Sequence, residues 1–332
     1  MKAGSFISVI LPVYNAQPFL KEAIESILNQ SYTNFEFIII NDGSTDDSEK
    51  TILQFNDHRI KYYHQQNKGL GATLNIGLSL CTGKYIARQD QDDISYPDRF
   101  KKQIDFLEKN PTIVLLGTRA KIFTENSTEI KYHNHATHSA DLKFDLLFDN
   151  PFVHSSVMFK KTVIDEVGIY TIDRNLYEDY DLWSRMALNG EVANLPDILL
   201  DYRHHAKGLS TNSSNFKEYA LFEQGLKNTK NLVGDLSTAI TDLQALYHWK
   251  KEKYSGTLIP KLFEALDVIT HKLISMYPSE KDRLIQRKKQ YQKIILYRLN
   301  IMARRNKPSF FKMLYLKIEN KLLKLHPHVI NN

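Results

Sequence analysis

The sequence predicts an α/β fold, in which helices cover both faces of a mostly parallel sheet, followed by an all-helical C-terminal region. Segments with strand composition recur at residues 6–11, 35–40, 60–64 and 84–87, with helical spacing of apolar residues between them. Strands that alternate with helices are typical of a parallel sheet. From residue 213 onward only helical patterns remain, and Gly and Pro are sparse.

The individual elements follow from local signals. Pro12 ends the first apolar strand, and a turn rich in helix-capping residues, which contains Asp42, closes the second. Further strands are predicted at residues 113–117 and 154–159. Helices are predicted at residues 18–30, 72–80, 100–107, 216–232, 236–250, 259–276, 279–305 and 309–325.

Composition narrows the protein class. The chain has 332 residues, of which 42% are hydrophobic and 25% charged, as is ordinary for a globular protein. One cysteine, Cys81, excludes an internal disulfide framework and suits a reducing compartment. No signal peptide is predicted, and no run reaches the roughly 20 apolar residues of a membrane span. We therefore expect a cytoplasmic protein.

An acidic cluster follows the strand at residues 84–87. Asp90, Asp92 and Asp93 fall within four residues, where they repel one another. A divalent cation would explain such crowding, because Mg²⁺ is usually bound by one or two carboxylates together with substrate phosphates. The carboxyl end of a strand is also where an open α/β sheet binds its ligand. A solvent-exposed acidic turn is the alternative interpretation.

Two common nucleotide sites are missing from the sequence. No Gly-x-Gly-x-x-Gly follows the first strand, and no Gly-x-x-x-x-Gly-Lys-Ser/Thr occurs, which argues against a dinucleotide fold and a P-loop. A diphosphate would then be held by a metal ion and side chains.

The ordered motifs of residues 5–212 resemble the family 2 glycosyltransferases, whose GT-A fold has a Rossmann-like sheet. The motifs lie at residues 8–15 (SVILPVYN), 26–32 (SILNQSY), 40–46 (INDGSTD), 67–70 (NKGL), 75–78 (NIGL), 90–93 (DQDD) and 97–99 (PDR).

The resemblance implies site residues. Those near the nucleotide sugar, including its uracil and ribose, would be Pro12, Tyr14, Asp42, Lys68 and Asp90. Asp92 would ligate Mn²⁺ or Mg²⁺ on the diphosphate, and His205, which follows Tyr202-Arg203, would complete the metal shell. Simple packing of Tyr14 and turn capping by Asp42 remain alternatives. Asp93 could ligate the ion or cap the next helix, and the cap is the favoured interpretation.

A second acidic pair, Glu178 and Asp179, precedes a helix with Leu182 and Met186 on its core face. A carboxylate is stabilised at a helix N-terminus, so capping alone could explain the pair. In the family that is resembled, Glu-Asp before Leu-Trp marks the catalytic base, which points to Asp179. The Gln-x-x-Arg-Trp motif of the processive members is missing, which favours transfer of a single sugar.

Histidines occur at two further places. His133, His135 and His138 lie in a polar stretch, residues 131–138, which we interpret as an acceptor-side loop rather than a zinc site, because no cysteine joins them. His154 begins the predicted strand at residues 154–159. The sequence leaves open whether its side chain faces the sugar or diphosphate.

Together these features predict three regions: a nucleotide-sugar-binding half (residues 1–105), an acceptor-binding and catalytic half (106–212) and a helical region (213–332). The predicted activity is inverting, metal-dependent transfer of one sugar, UDP-linked, to a hydroxyl of a glycan or lipid-linked acceptor in surface polysaccharide biosynthesis. The alternatives are a sugar-nucleotide pyrophosphorylase, which lacks its glycine-rich basic loop here, and a GT-A scaffold without catalysis.

The charge of the tail needs its own explanation. The net charge is +6, yet residues 279–332 carry +11, so the remainder carries −5. In the last predicted helix an apolar stripe lies beside lysines, as in helices that lie on anionic membranes. We expect peripheral contact with the inner face of the cell membrane. Packing on the catalytic domain or on a second copy in a homo-oligomer is the alternative, and nucleic acid is not expected.

Overall fold

The computed structural model describes residues 4–124, 130–172, 177–205, 215–235, 237–248 and 258–306, apart from the side chains of residues 215–218 and 302–306. Residue contacts divide the chain into two units, Met1–Ala220 and Leu221–Asn332. The first unit contains the sheet, and the elements described in the second are helices.

The first half of the sheet unit alternates strands and helices, as predicted. The elements are β1 (Ile7–Val13), α1 (Leu20–Leu28), β2 (Phe35–Asn41), α2 (Ser48–Leu53), β3 (Ile60–His64), α3 (Leu70–Leu80), β4 (Tyr85–Arg88), β5 (Ile94–Ser95) and α4 (Arg99–Lys109). Every residue of β1 and β2 is buried, which explains their nearly continuous apolar runs. The short α2 and β5 were not predicted.

Strands β1 to β4 are parallel and end at one edge of the sheet. β1 lies between β2 and β4, with Val13 opposite Asn41 and Ile10 opposite Arg88. Consequently Tyr14, Asp42 and the acidic cluster all follow strand ends on the same side. Helix α3 packs closely on β1, because a Cβ on Gly77 would lie 2.6 Å from Cγ2 of Ile10.

The second half contains β6 (Ile113–Phe123), β7 (Lys131–His133), α5 (Ser139–Asp145), β8 (Met158–Lys160), α6 (Thr162–Val167), α7 (Glu178–Asn189) and β9 (Glu191–Arg203). The nine-stranded sheet has the order β3-β2-β1-β4-β8-β6-β9-β5, with β7 paired to β6. β8 runs antiparallel between β4 and β6, and β9 is parallel to β6. The predicted α/β fold class is confirmed.

Two local predictions were wrong in part. Residues 154–159 do not form one strand: His154–Ser156 is a 3-10 helix, and the strand begins at Met158. The hydroxyl of Ser156 donates to the carbonyl of Val153 at 2.8 Å, a local bond that competes with strand pairing. The polar stretch at residues 131–138 is not wholly a loop, since β7 pairs with β6 as an exposed strand.

The described part of the second unit is helical, as predicted. Its helices are α8 (Asn215–Val233), α9 (Thr238–Tyr247), α10 (Leu258–Met276) and α11 (Lys281–Asn306), and α9, α10 and α11 pack on one another through buried leucine and isoleucine side chains. The helix predicted at residues 309–325 lies outside the described residues. Within the described ranges, no helix is long and apolar enough to cross a bilayer.

Candidate active site

The end of β1 is joined directly to the acidic cluster. The amide N–H of Tyr14 donates to Oε1 of Gln91 at 2.8 Å, and the Tyr14 carbonyl accepts from Nε2 of Gln91 at 3.2 Å. The ring of Tyr14 is 46% exposed and open to a ligand. Pro12 is buried. Its missing N–H removes no sheet hydrogen bond, because the edge of β1 that faces β4 extends here beyond Arg88, the last residue of β4.

Asp42 is buried and fastens the loop before α3. Its Oδ1 accepts from Nε2 of Gln65 at 2.7 Å and from the amide of Lys68 at 2.8 Å, while Oδ2 accepts from the amide of Gly69 at 2.9 Å. Asp42 therefore caps backbone amides, as one interpretation predicted. The amides belong to this later loop and not to the turn that directly follows Asp42. Lys68 is exposed at the rim. Nucleotide contact by both residues stays a prediction.

Neighbouring hydrogen-bond donors balance the negative charge of Asp90. Its Oδ1 accepts from Nη2 of Arg88 at 2.5 Å. Its Oδ2 accepts from the hydroxyl of Ser155 at 2.7 Å, and that hydroxyl accepts from the Asp90 amide at 2.8 Å. Burial works against ionisation of Asp90, but Arg88, His154 and Ser155 outweigh it, so the pKa of the carboxyl lies below its ordinary value.

Asp92 and His205 meet across the sheet. Nε2 of His205, two residues beyond β9, lies 2.8 Å from Oδ2 of Asp92, and both side chains are about one-fifth exposed. Burial and the charge of Asp90 raise the pKa of Asp92, and His205 opposes this rise. The imidazole also contacts the ring of Phe19, with 4.8 Å between ring centroids. The structure therefore brings together the two residues predicted to ligate a metal.

This pair fits a divalent cation that shares its coordination with a substrate. Among the described residues, no three His, Cys, Asp or Glu side chains form a complete protein metal site. One carboxylate and one imidazole, both reachable from solvent, leave the remaining positions to water and phosphate oxygens, as Mg²⁺ sites commonly do. His133 instead stacks on His135, with ring centroids 5.3 Å apart, and contacts Tyr202.

Three buried arginines beneath the cluster were not predicted. Arg88 and Arg99 are 1% and 0% exposed, and Arg203 is 6% exposed. Arg99 donates to the carbonyls of Arg88 (2.7 Å) and Ser155 (2.5 Å), and burial lowers its pKa to about 9. Basic residues directly beside the acidic motif, at positions 88 and 99, were the available signal in the sequence.

Asp93 does not cap a helix, so that prediction was wrong. The N-cap of α4 is Asp98, five residues later. Asp93 is buried, and its Oδ1 accepts from the amide of Arg203 at 2.8 Å, which ties the acidic cluster to the end of β9. Burial, together with the charges of Asp92 and Asp90, raises the pKa of Asp93 well above its usual range.

A second acidic centre begins at the N-terminus of α7. Oδ1 of Asp179 accepts from the amide of Tyr180 at 2.7 Å, and Oδ2 accepts from Nδ2 of Asn150 at 2.9 Å. Burial and the charge of Glu178 raise the pKa of Asp179 to about 7. Burial also raises the pKa of Glu178. The carboxyl of Asp179 is therefore poised to exchange a proton near neutral pH.

Aromatic side chains pack beside this second centre. Nε2 of His154 lies 3.2 Å from the hydroxyl of Tyr170, and both rings contact the fully buried Trp183. Burial, and secondarily the charge of Arg88, lowers the pKa of His154 to about 3, so the imidazole is neutral. The charge of Asp90 contributes to the raised pKa of Asp179, which indicates that the two acidic centres interact.

Comparisons with known proteins place this arrangement in context. The family model of Glycosyl transferase family 2 matches residues 8–168. An uncharacterized glycosyltransferase of Haemophilus influenzae is 32% identical, over 81% of this chain and 89% of the relative. The O-antigen biosynthesis glycosyltransferase WbnJ of Escherichia coli is 35% identical, over 74% of this chain and 95% of the relative.

Solved structures resemble the fold at low sequence identity. TarS 1–349 of S. aureus, solved with UDP-GlcNAc, has a TM-score of 0.59 at 16% identity, over 87% of this chain and 90% of that one. The mannosyltransferase PcManGT of Pyrobaculum calidifontis, solved with GDP-Man and Mn²⁺, has a TM-score of 0.54 at 15% identity, over 91% and 87% of the two chains. At these sequence identities, both comparisons show a shared fold alone.

Proposed function

The chain belongs to glycosyltransferase family 2, and we propose that it moves one sugar from UDP to a hydroxyl of a glycan or lipid-linked acceptor with inversion. The observation that carries this proposal is that two acidic centres lie on different elements of the sheet unit. Asp92 and His205 form one, and Asp179, whose pKa is raised to about 7, forms the other. Inversion requires the acceptor and the leaving group on opposite faces of the sugar, so the base must stand apart from the diphosphate.

The donor side of the proposal rests on the sheet edge. Tyr14, Asp42 and Asp90 follow the ends of strands, Pro12 lies near the end of β1, and Lys68 lies in the loop before α3. We assign the uracil and ribose to this edge, where the exposed ring of Tyr14 offers a stacking surface and Lys68 offers a positive charge. TarS, a structural neighbour, was solved with UDP-GlcNAc, which supports a UDP-linked donor.

Asp92 and His205 would hold Mn²⁺ or Mg²⁺. When bound there, the ion would supply positive charge that stabilises the leaving UDP. The structural neighbour PcManGT was solved with Mn²⁺, which supports the same class of ion here. The hydrogen bond between Asp92 and His205 would have to open on loading, so metal affinity should depend on the donor diphosphate.

Asp179 would act as the general base. It would take the proton of the acceptor hydroxyl as the new glycosidic bond forms, and positioned bases contribute on the order of 10²–10⁴-fold. The amide of Tyr180 and the side chain of Asn150 keep the carboxylate oriented for this step. Glu178 keeps the pKa of Asp179 high through its negative charge.

The acceptor and location are proposed from the relatives and the tail. WbnJ is named for O-antigen biosynthesis, which supports a role in surface polysaccharide biosynthesis. On α11, Lys289, Lys293 and Tyr297 are exposed at intervals of four residues, a pattern that suits an anionic membrane surface. We therefore propose a cytoplasmic enzyme in peripheral contact with the membrane, with homo-oligomer formation through the tail as the alternative.

A donor screen tests the function. Purified protein with Mn²⁺ or Mg²⁺ would be incubated with UDP-, GDP- and dTDP-sugars while released nucleoside diphosphate is measured. We expect metal-dependent release of UDP that chelation abolishes. Membership of a glycosyltransferase family removes the pyrophosphorylase alternative. If no donor releases a nucleoside diphosphate although the protein still binds UDP, the scaffold without catalysis would be favoured.

A further inference from the structure

The hydrogen bond from Asn150 to Asp179 joins two parts of the chain that the sequence gives no reason to connect. Asn150 lies between α5 and the 3-10 helix His154–Ser156, and Asp179 lies in the first turn of α7. Nδ2 of Asn150 donates to Oδ2 of Asp179 at 2.9 Å. The other oxygen, Oδ1, accepts from the amide of Tyr180 at 2.7 Å. Each carboxylate oxygen thus has a donor from a different direction.

The orientation of the Asn150 amide is fixed by its own surroundings. Its Oδ1 accepts from the amide of Phe152 at 3.1 Å, and its backbone N–H donates to Oδ1 of Asp149 at 2.8 Å. A flipped amide would set its oxygen against the carboxylate of Asp179 and its NH₂ against the N–H of Phe152. Both contacts would be repulsive, so the NH₂ group must face Asp179.

The chemistry of the donor suits a base. A lysine or arginine at this place would pair with Asp179 and hold its pKa low, which would weaken it as a proton acceptor. A neutral amide orients the carboxylate without supplying a full charge. We propose that Asn150 is a positioning residue that holds Oδ2 of Asp179, so that the carboxylate keeps one orientation toward the acceptor. This inference rests on the proposed function.

The charges around Asp179 define what the bond must work against. The groups that interact electrostatically with Asp179 are Glu178 on α7, Tyr177 just before α7, Tyr170 from the preceding segment, and Asp90 beyond β4. Arg88 in turn acts on Glu178 and Asp90. Burial and negative neighbours raise the pKa of Asp179, and the bonds from Tyr180 and Asn150 lower it. Loss of the Asn150 bond should therefore raise it further.

A direct titration tests the proposal without any acceptor. The full chain is labelled with ¹³C at the aspartate carboxyl groups, and the Asp179 resonance is assigned by its loss in Asp179→Asn. In Asn150→Ala, we expect the pKa of Asp179 to rise by about 1. Asn150→Asp keeps the shape of the side chain but replaces the donor by a second carboxylate, so the rise should be larger. Asn189→Ala, which removes an exposed amide from the same helix, should leave the titration unchanged.

Kinetics supply the second readout. With the UDP-sugar that the donor screen identifies, Asn150→Ala should lower kcat roughly 10- to 100-fold with little change in the KM of the donor. The acidic limb of its pH profile should move upward with the titration. In an Asp179→Asn background, Asn150→Ala should have no further effect on kcat.

The outcomes separate the two proposals. If Asp179 titrates as in the unmodified protein in both Asn150 variants, the positioning role is wrong, whatever the enzyme does. If the titration moves as expected but Asp179→Asn remains active, Asn150 orients a carboxylate that is not the base, and the proposed function is what fails. Because Asn150→Asp is isosteric, it keeps the test decisive even where Asn150→Ala does not fold.

Discussion

The two acidic centres contain the same kind of residue in different electrostatic settings. At the first, Asp90 is paired with Arg88, Asp92 lies against His205, and the buried Arg99 lies beneath them. At the second, the donors that reach Asp179 are the amides of Tyr180 and Asn150. The pKa of Asp90 is lowered, and His205 opposes the rise that burial and Asp90 cause in the pKa of Asp92, whereas burial and Glu178 raise the pKa of Asp179 to about 7.

The difference assigns different chemistry to the two centres. At the first centre, Asp92 lies against the imidazole of His205 and near Asp90, a setting in which a bound cation would favour the ionised carboxylate. A carboxylate whose pKa lies near neutral can accept and release a proton. Neighbouring charges and burial separate the two roles, as in other enzymes whose carboxylates work as pairs. The charge of Asp90 reaches Asp179, so substitutions that keep Asp90 should act mainly on the centre in which they lie.

The largest effect is expected from Asp92→Ala. Without this carboxylate, His205 is the one predicted protein ligand left, and a diphosphate would approach the acidic cluster without full coordination. We expect metal-dependent binding of UDP to be abolished. Calorimetry of UDP with and without Mn²⁺ measures this, with Asp165→Ala, an exposed aspartate on α6, as the matched control. Unchanged affinity in the Asp92 variant would remove this residue from the metal site.

The second largest effect is expected from Asp179→Asn, which removes the proton acceptor but keeps the shape of the side chain. The rate should fall about 10²- to 10⁴-fold, while UDP affinity stays nearly intact. In the unmodified enzyme, the rate should decline as the pH drops below about 7, since protonated Asp179 cannot accept a proton. Near-normal turnover, or a product with the donor's anomeric configuration, would contradict this role.

Glu178→Gln should sharpen the contrast with a smaller effect. The negative charge of Glu178 raises the pKa of Asp179, so a neutral amide at this position should move the acidic limb of the pH profile to lower pH. We expect a loss of less than about tenfold at neutral pH, because the base itself remains. Rates measured across pH for the two variants compare these effects directly. A loss as large as that of Asp179→Asn would transfer the role of base to Glu178.

The strand ends and the acidic cluster were predictable because they depend on local patterns. β1 and β2 are nearly continuous apolar runs, and parallel pairing then sends Tyr14, Asp42 and Asp92 to one edge. The long β9 was not predicted, because Pro196 lies in its middle. The register shifts there, with Leu195 opposite Thr118 and Ile198 opposite Arg119, so that the chain can bulge around the proline.

The supporting contacts of the site were not predictable from the sequence. Asn150 and Asp179 are 29 residues apart, and Asp93 and Arg203 are 110 apart, so no periodicity or motif connects them. The sequence indicated which carboxylates we propose as metal ligand and base. The groups that set their pKa values, such as Arg88 and Asn150, become evident when the sheet brings distant segments together.

The smallest effect on either centre is expected from deletion of residues 307–332. This segment carries five lysines and one glutamate, and each basic residue near an anionic membrane contributes on the order of 1 kcal/mol. The deletion spares Asp92, His205, Glu178 and Asp179, so UDP release from a soluble donor should not change. Binding to vesicles rich in phosphatidylglycerol should fall, and added salt should weaken binding of the full chain in the same way. Vesicles of phosphatidylcholine alone serve as the control for charge. Equal co-sedimentation of the full and shortened chains with anionic vesicles would contradict a membrane role for this segment and favour packing or oligomer formation. A lower rate of UDP release from the soluble donor would show instead that the tail acts on a catalytic centre.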